Sequence, residues 1–351
     1  MSSDGDVISV KASEVEAKPT RWLWLRWLPL KMFSLLIGLP GLGKTTVVVE
    51  IAALITRGKL AGDLLGKPAD VLIASYEDAW SETLRPRLEA AGADLDRVHF
   101  LACRDRGRVL DLSHQLGAIE RIARAREAKL LIIDPLVAGM PRDDVNSHRD
   151  QDVRSVLAPI ATLAEQCGLT VLATGHFPKS AQRALLGMGG SVGFSAAARS
   201  ILVFGLDPKD ASGARGPARV LAHAKCNVGP LARSVKVAVG GALVFAGDVP
   251  IATSQAVIGE ECDVSADDLV LADIGIGEAP TDHAVRFLRE LLADGPYPAK
   301  DIPDLAADQG ISWRTLERAK KLLGVKSKHE GKAWYWERPA VEEDAIDESD
   351  E

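Results

Sequence analysis

Residues Gly38 to Thr45 read G-L-P-G-L-G-K-T, glycines and a lysine at the spacing that bends a backbone around phosphate groups. The cradle runs over Gly38, Pro40, Gly41, Leu42, Gly43, Lys44, Thr45 and Thr46. Its glycines let the chain curl so that N–H groups point inward at an anion. Lys44 brings a charge to the β and γ oxygens, and the Thr45 hydroxyl can hold Mg²⁺. The same eight residues alone also describe an ordinary glycine-rich turn. Context separates the two readings, because an apolar run (Phe33–Ile37) precedes the loop as a strand and Thr46–Ile55 follows it as a helix. The pattern implies binding of a nucleoside triphosphate, with ATP and Mg²⁺ as the cofactors.

Other chemistry-bearing residues fall at the ends of apolar runs. Leu130–Ile133 is closed by Asp134, a carboxylate able to hold Mg²⁺ through water. Glu77 lies just past Val71–Ser75, in S-Y-E-D-A-W, where it can align and deprotonate an attacking water; alternatively Glu77 or Asp78 only caps a helix at Ser81. His176 follows Leu169–Ala173 in T-G-H-F-P-K, placed to donate to a γ-phosphate or to serve as a structural histidine. Arg199 closes A-A-A-R, and Lys225 opens K-C-N-V-G-P. Either is a surface cation or a charge offered to a neighbouring subunit's phosphates. Residues 177–194 are glycine-rich and long for a connection, and Lys179 and Arg183 make them a candidate contact for a phosphate backbone.

These residues need a scaffold that brings strand ends together. From residue 18 to 250, short apolar runs alternate with segments of helical spacing such as Leu84–Ala91 and Leu116–Glu127. The first five runs, starting at Phe33, Val71, Val98, Leu130 and Leu169, predict parallel strands of an α/β sheet covered on both faces. Later runs at Ile201, Val220 and Val235 are separated by Gly/Pro turns and predict antiparallel strands that finish the sheet. Residues 1–17 read as a flexible lead-in, and 251–280, acid-rich with few aromatics, as a linker. Arg21–Leu30, with three tryptophans and two arginines, is too short and too charged for a span or a leader. It is expected beside the nucleotide or against another subunit.

Residues 281–339 predict three helices and a hairpin, a winged helix-turn-helix. The helices are His283–Ala293, Ala299–Gln309 and Trp313–Leu323, and the hairpin is Val325–Lys328 with Ala333–Trp336. Arg314, Arg318, Lys320, Lys321, Lys326, Lys328, Lys332 and Arg338 face three glutamates, a surplus of five positive charges on the third helix and wing. Arg314, Arg318 and Lys321 are the candidates for nucleic-acid contact; the other reading is a solvated face of a protein-interaction module. Residues 340–351 form an acidic tail. Its last ten residues hold seven acids, which account for the whole net charge of −7 and leave the remainder balanced. Cys103, Cys167, Cys226 and Cys262 stand alone, which argues against a zinc site or disulfide framework and for a reducing cytoplasm.

Taken together, W-L-W, G-L-P-G-L-G-K-T, A-S-Y-E-D, R-P-R-L-E-A-A-G-A-D-L-D-R-V, L-I-I-D-P, T-G-H, G-F-S-A-A-A-R-S and K-C-N-V-G-P resemble, in order, the RepA-type hexameric ATPases. These belong to the RecA/DnaB-like P-loop superfamily, and the resemblance covers about Trp22 to Val239. It implies a RecA-like core and assigns Lys44 and Thr45 to phosphate and metal. Glu77 rather than Asp78 becomes the catalytic base, Asp134 the metal-water carboxylate, and His176 the γ-phosphate sensor. Arg199 falls where the arginine acting across the subunit interface stands, and Lys225 on the lysine of a K-x-R-x-G segment. Asn227 there replaces an arginine, which makes Lys225 the lesser candidate. Leu39 stands where an acid is common, and Lys31 where a glycine is common.

The resemblance implies a homo-hexameric ring, a DNA helicase or translocase with single-stranded DNA in its channel, replication proteins as partners and no membrane. A regulator that reads duplex DNA through the winged helix without unwinding is the alternative. A P-loop small-molecule kinase is the third reading, and it leaves the C-terminal domain and the Arg199 and Lys225 segments without a role.

Overall fold

A computed structural model of the chain describes residues 8–104, 110–140, 150–176, 192–208, 218–273, 280–292, 295–308, 311, 313–330 and 333–337. It forms two compact units, Met1–Val270 and Leu271–Glu351.

In the first unit a ribbon of β1 (Trp22–Trp24) and β2 (Leu28–Pro29) leads into β3 (Phe33–Ile37), and the phosphate loop then opens α1 (Lys44–Thr56). Strand and helix alternate through β4 (Val71–Ser75), α2 (Arg85–Ala90), β5 (Val98–Phe100), α3 (Leu112–Ala125), β6 (Leu130–Asp134), α4 (Asp150–Cys167) and β7 (Thr170–Gly175). A short α5 (Val192–Ala197) precedes β8 (Ser200–Leu206), β9 (Arg219–Cys226), β10 (Ser234–Ala246) and β11 (Val249–Cys262), with α6 (Ala266–Asp273) after them.

One nine-stranded sheet holds the unit together, in the order β11-β10-β9-β8-β3-β7-β6-β4-β5. Strands β8 to β5 run parallel, and β9, β10 and β11 add on antiparallel. This is the α/β, mostly parallel architecture of a P-loop core. All of β3 is buried, as a strand covered on both faces must be, and its composition is accordingly almost wholly apolar. Helix α1 is apolar nearly all round. Its Val47, Val48 and Ile51 pack into one core with Leu36, Ile73, Ile132, Leu172 and Leu202.

Three details differ from the sequence expectations. The sixth run, β8, is parallel to β3 and antiparallel only to β9. Residues 249–262, most of them expected in a linker, are the fourteen-residue strand β11, paired with β10 from Ala246↔Val249 onward. Gly247 and Asp248 make the two-residue turn between them, with Gly247 at φ 61°, the left-handed conformation that hairpin turns require. The tryptophan-rich segment packs into its own chain's core and not beside the phosphate loop. Trp24 and Trp27 are buried and stacked, with centroids 4.8 Å apart, and Trp27 also stacks on His223 at 5.6 Å. Folding β1 back on β2 places Leu23, Trp24, Trp27 and Leu28 on the same apolar face as α1.

The second unit contains α7 (Pro280–Leu291), β12 (Tyr297–Pro298), α8 (Ile302–Asp308), α9 (Trp313–Leu322), β13 (Lys326–Glu330) and β14 (Ala333–Glu337). The strands form a sheet in the order β12-β14-β13, so a short strand not expected from the sequence lies between the first two helices. Leu288, Ile302, Leu316, Ala319 and Trp336 close its core. Gly324, at φ 65°, stops α9 where the sequence placed the end of the third helix. Among the described residues no helix is long and apolar enough to cross a membrane.

Candidate nucleotide site

The sheet order decides which side chains meet. Strand β3 carries the phosphate loop, β7 lies beside it, then β6, then β4. Lys44 and Thr45, His176, Asp134 and Glu77 follow or end those four strands in turn, so all five stand at the C-terminal edge of the parallel sheet. Lys44, Thr45, Glu77, Asp134 and His176 line one cavity of about 460 Å³, together with Pro40, Gly41, Gly43 and Thr46 of the loop.

The loop has the conformation its glycines allow. Gly41 and Gly43 sit at φ 78° and 96°, and Gly43 immediately precedes α1. A Cβ on Gly38 would lie 2.2 Å from the Phe204 carbonyl oxygen, so β8 passes too close for any other residue. The loop is backed by the β10–β11 hairpin, with Val239 against Gly43 and the Thr46 hydroxyl 3.2 Å from that of Ser254.

Lys44 is folded onto its own loop. Its Nζ donates to the carbonyls of Gly38 (2.9 Å) and Leu39 (2.8 Å) and lies 3.1 Å from His176 Nδ1. An ammonium only donates, so that histidine nitrogen accepts. Burial, and then the Lys44 charge, push the His176 pKa below its ordinary value, partly opposed by a hydrogen bond to the Gly38 backbone and by the Glu77 and Asp134 carboxylates. His176 is therefore a neutral imidazole at neutral pH.

Both oxygens of Asp134 are held: Thr45 Oγ1 donates to Oδ2 at 2.7 Å, and the buried Thr174 hydroxyl donates to Oδ1. A hydroxyl and a carboxylate within one hydrogen bond, beside a phosphate cradle, form the hard-oxygen set that suits Mg²⁺. Thr45 would hold the ion directly and Asp134 would hold it through water. Among the described residues no cluster of three or more His, Cys, Asp or Glu is placed to bind a metal.

Glu77 and Asp78 separate cleanly. Asp78 accepts from Arg87 of α2 at 2.8 Å, an ion pair at the cavity wall. Glu77 is exposed to the cavity and makes no hydrogen bond or ion pair among the described residues. Neither residue caps the following turn, which begins at Trp80 without a side-chain cap. Arg87, Thr174 and Ser254 are site residues that the sequence reading missed. Thr174 and Ser254 reach the site through pairing across the fold, and Arg87 through its ion pair with nearby Asp78, so no motif marks them.

Arg199 and Lys225 lie elsewhere. The Arg199 N–H donates to the Phe33 carbonyl at 2.9 Å, at the start of β3, whereas the phosphate loop leaves its other end. Five residues of strand, roughly 17 Å, separate the two edges. Arg199 lines a second cavity, of about 970 Å³, with Lys18, Arg21, Lys31 and Lys129 and with the single acid Glu165. Lys225 is engaged within the chain: its Nζ donates to the carbonyls of Ser195 (2.5 Å) and Ala198 (3.0 Å), at the end of α5. Burial and the nearby Arg199 charge lower its pKa. It thus caps a helix C-terminus, where unpaired carbonyls favour a cation. Lys179 and Arg183 lie outside the described residues. Arg318 and Lys321 are exposed on α9, and Arg314 is on the same helix.

A family model described as "AAA domain" (AAA_25) matches residues 5–182, just over half of the chain. No curated protein matches. Among solved structures, the KaiC-like protein PH0186 of the hyperthermophilic archaeon Pyrococcus horikoshii OT3 is similar at 20% identity and a TM-score of 0.45, over 63% of this chain and 96% of that one.

Proposed function

Because this chain belongs to the AAA domain family, and is thereby an ATPase of the P-loop class, we propose that it works as a ring, probing DNA with each hydrolysis centre shared between two copies. One observation carries the reading. Phosphate cradle, metal-side carboxylate, base and imidazole converge on one sheet edge, while Arg199 stands on the opposite edge of the same sheet. The other cation at the cavity wall, Arg87, is already paired with Asp78. A head-to-tail contact that sets one subunit's Arg199 edge against the next subunit's cradle edge supplies the missing charge, and such contacts close into rings. A hexamer is the expected size.

In this reading Lys44 leaves its loop carbonyls for the β and γ oxygens, and Glu77 takes a proton from the attacking water. Mg²⁺ neutralises charge on the phosphates when bound. His176, freed from Lys44, donates to the γ-phosphate. The residues beyond it, with Lys179 and Arg183, are proposed to follow single-stranded DNA in the channel. Replication or maintenance of a mobile element is the expected setting, in the cytoplasm.

Mixing separately inactive Glu77→Gln and Arg199→Ala proteins tests the shared centre. Random assembly in equal amounts restores about a quarter of the interfaces, each with an intact cradle from one variant and an intact arginine from the other. ATPase activity that stays at the level of the separate variants rules the arrangement out. The exposed Arg318 and Lys321 of α9 favour a second reading, duplex recognition without unwinding. A forked duplex discriminates, since only the motor separates its strands with ATP.

A further inference from the structure

The second unit carries more aromatic surface than its core uses. Trp336 is buried, but Trp313 at the start of α9 is 54% exposed and Trp334 on β14 is 57% exposed. Residues 334 and 336 share a face of β14, because strand side chains alternate. The register sets His329 opposite Trp334 and Ser327 opposite Trp336 on that face. His329 meets Trp334 edge-on at 5.0 Å, and Trp313 lies 6.2 Å from Trp336. Lys320 stands 3.9 Å over the Trp336 ring and donates to Ser327 at 2.9 Å. Trp313, Trp336 and Trp334 therefore form a row with a lysine set into it. Lys326 and Lys328 alternate to the other face of β13, whereas exposed Arg318 and Lys321 lie on α9, the helix that carries Trp313 and Lys320, with the exposed acid Glu317.

We propose that this row is a stacking platform for unpaired bases, so that the second unit grips single-stranded nucleic acid. The inference rests on the reading that the protein acts on DNA, and it names the form of DNA this unit takes. Bases in a duplex offer only their edges, whereas unpaired bases offer a face that an exposed indole can cover. The cations of α9, with Lys320 against Trp336 and exposed Arg318 and Lys321 on the same helix, match a phosphate backbone. A protein-docking patch is depleted in lysine at its centre, and this one has Lys320 there.

The test uses the full chain without nucleotide, a fluorescein-labelled oligo-dT and a duplex of equal length. Trp334→Ala and Trp313→Ala are each expected to weaken oligo-dT binding about tenfold, within the range measured for base–aromatic stacks, and to change duplex binding less than about twofold. Trp334→Phe keeps a ring to stack on but removes an indole. It is expected to hold affinity within about threefold while losing part of the tryptophan quenching that oligo-dT causes. Unchanged oligo-dT binding in both alanine variants, equal losses on oligo-dT and duplex, or a change only in oligomeric mass each overturn the proposal. Because no ATP is present, failure here leaves the shared hydrolysis centre standing, and failure of the mixing experiment leaves this platform standing.

Discussion

Acid should weaken the first unit through one buried histidine. His223 is 5% exposed, stacked on Trp27, with its Nδ1 accepting from the Ala232 N–H at 3.1 Å and its Nε2 2.9 Å from the Ser200 hydroxyl. Since Nδ1 accepts, the ring proton is on Nε2, and the imidazole is neutral. Burial pushes its pKa down to about 4 from an ordinary 6.5, with a backbone hydrogen bond opposing in part. Between those values the unfolded chain binds a proton that the folded chain refuses. The stabilisation is therefore complete above pH 6.5 and is lost as pH falls toward 4. At 1.36 kcal/mol per unit this is roughly 3 kcal/mol, and about 2 to 3 kcal/mol of it disappears between pH 7 and 4.5. The assay is urea unfolding of the parent and of His223→Gln at both pH values, followed by tryptophan emission. Other groups titrate alike in both proteins, so the stability difference between them should shrink by about 2 to 3 kcal/mol at the lower pH. A difference that stays constant across that interval refutes the assignment of a neutral, sequestered imidazole.

Three further outcomes follow from the site. Lys44→Ala should abolish ATP turnover, and His176, relieved of the adjacent ammonium, should titrate at a higher pH by NMR. Gly38→Ala should lower the melting temperature, because its methyl group forces β8 away from β3 at a cost of about 1–3 kcal/mol. Lys225→Met should destabilise the first unit by about 1–3 kcal/mol through the lost helix-end bonds, measured by chemical unfolding.

The cradle was legible because its signal is local: eight residues, a strand before and a helix after. Asp134, Glu77 and His176 were legible for a related reason, since each follows an apolar run whose parallel direction puts its end on one edge. The choice between Glu77 and Asp78 rested on family likeness in the sequence; in the structure the two differ in that Asp78 is tied to Arg87. Lys31 stands where a glycine is common in the resembling chains, and its φ of 65° is the left-handed conformation that favours glycine. Less was legible where partners lie far apart in the chain. Apolar surface at Trp24 and Trp27 announces burial but not against what; within the chain it meets the α1 face. Strand β11 is short of large apolar residues because much of it faces solvent, and its Gly247–Asp248 turn was the one local signal that could have revealed it. The engagement of Lys225 depends on β9 running back beside β8, which no window of sequence displays.

The pairing of β3 with β8 bears on where the chain can be cut. Strand β3 is interior to the sheet only because residues 200–206 cover one of its sides, and these lie beyond the stretch matched by the AAA domain family at 5–182. A fragment ending at 182 would leave the backbone of Ser34, Leu35, Leu36 and Ile37 as a raw flank next to the cradle, open to any passing strand. The homology segment is thus smaller than the folding unit, and expression of the ATPase alone should extend through β11.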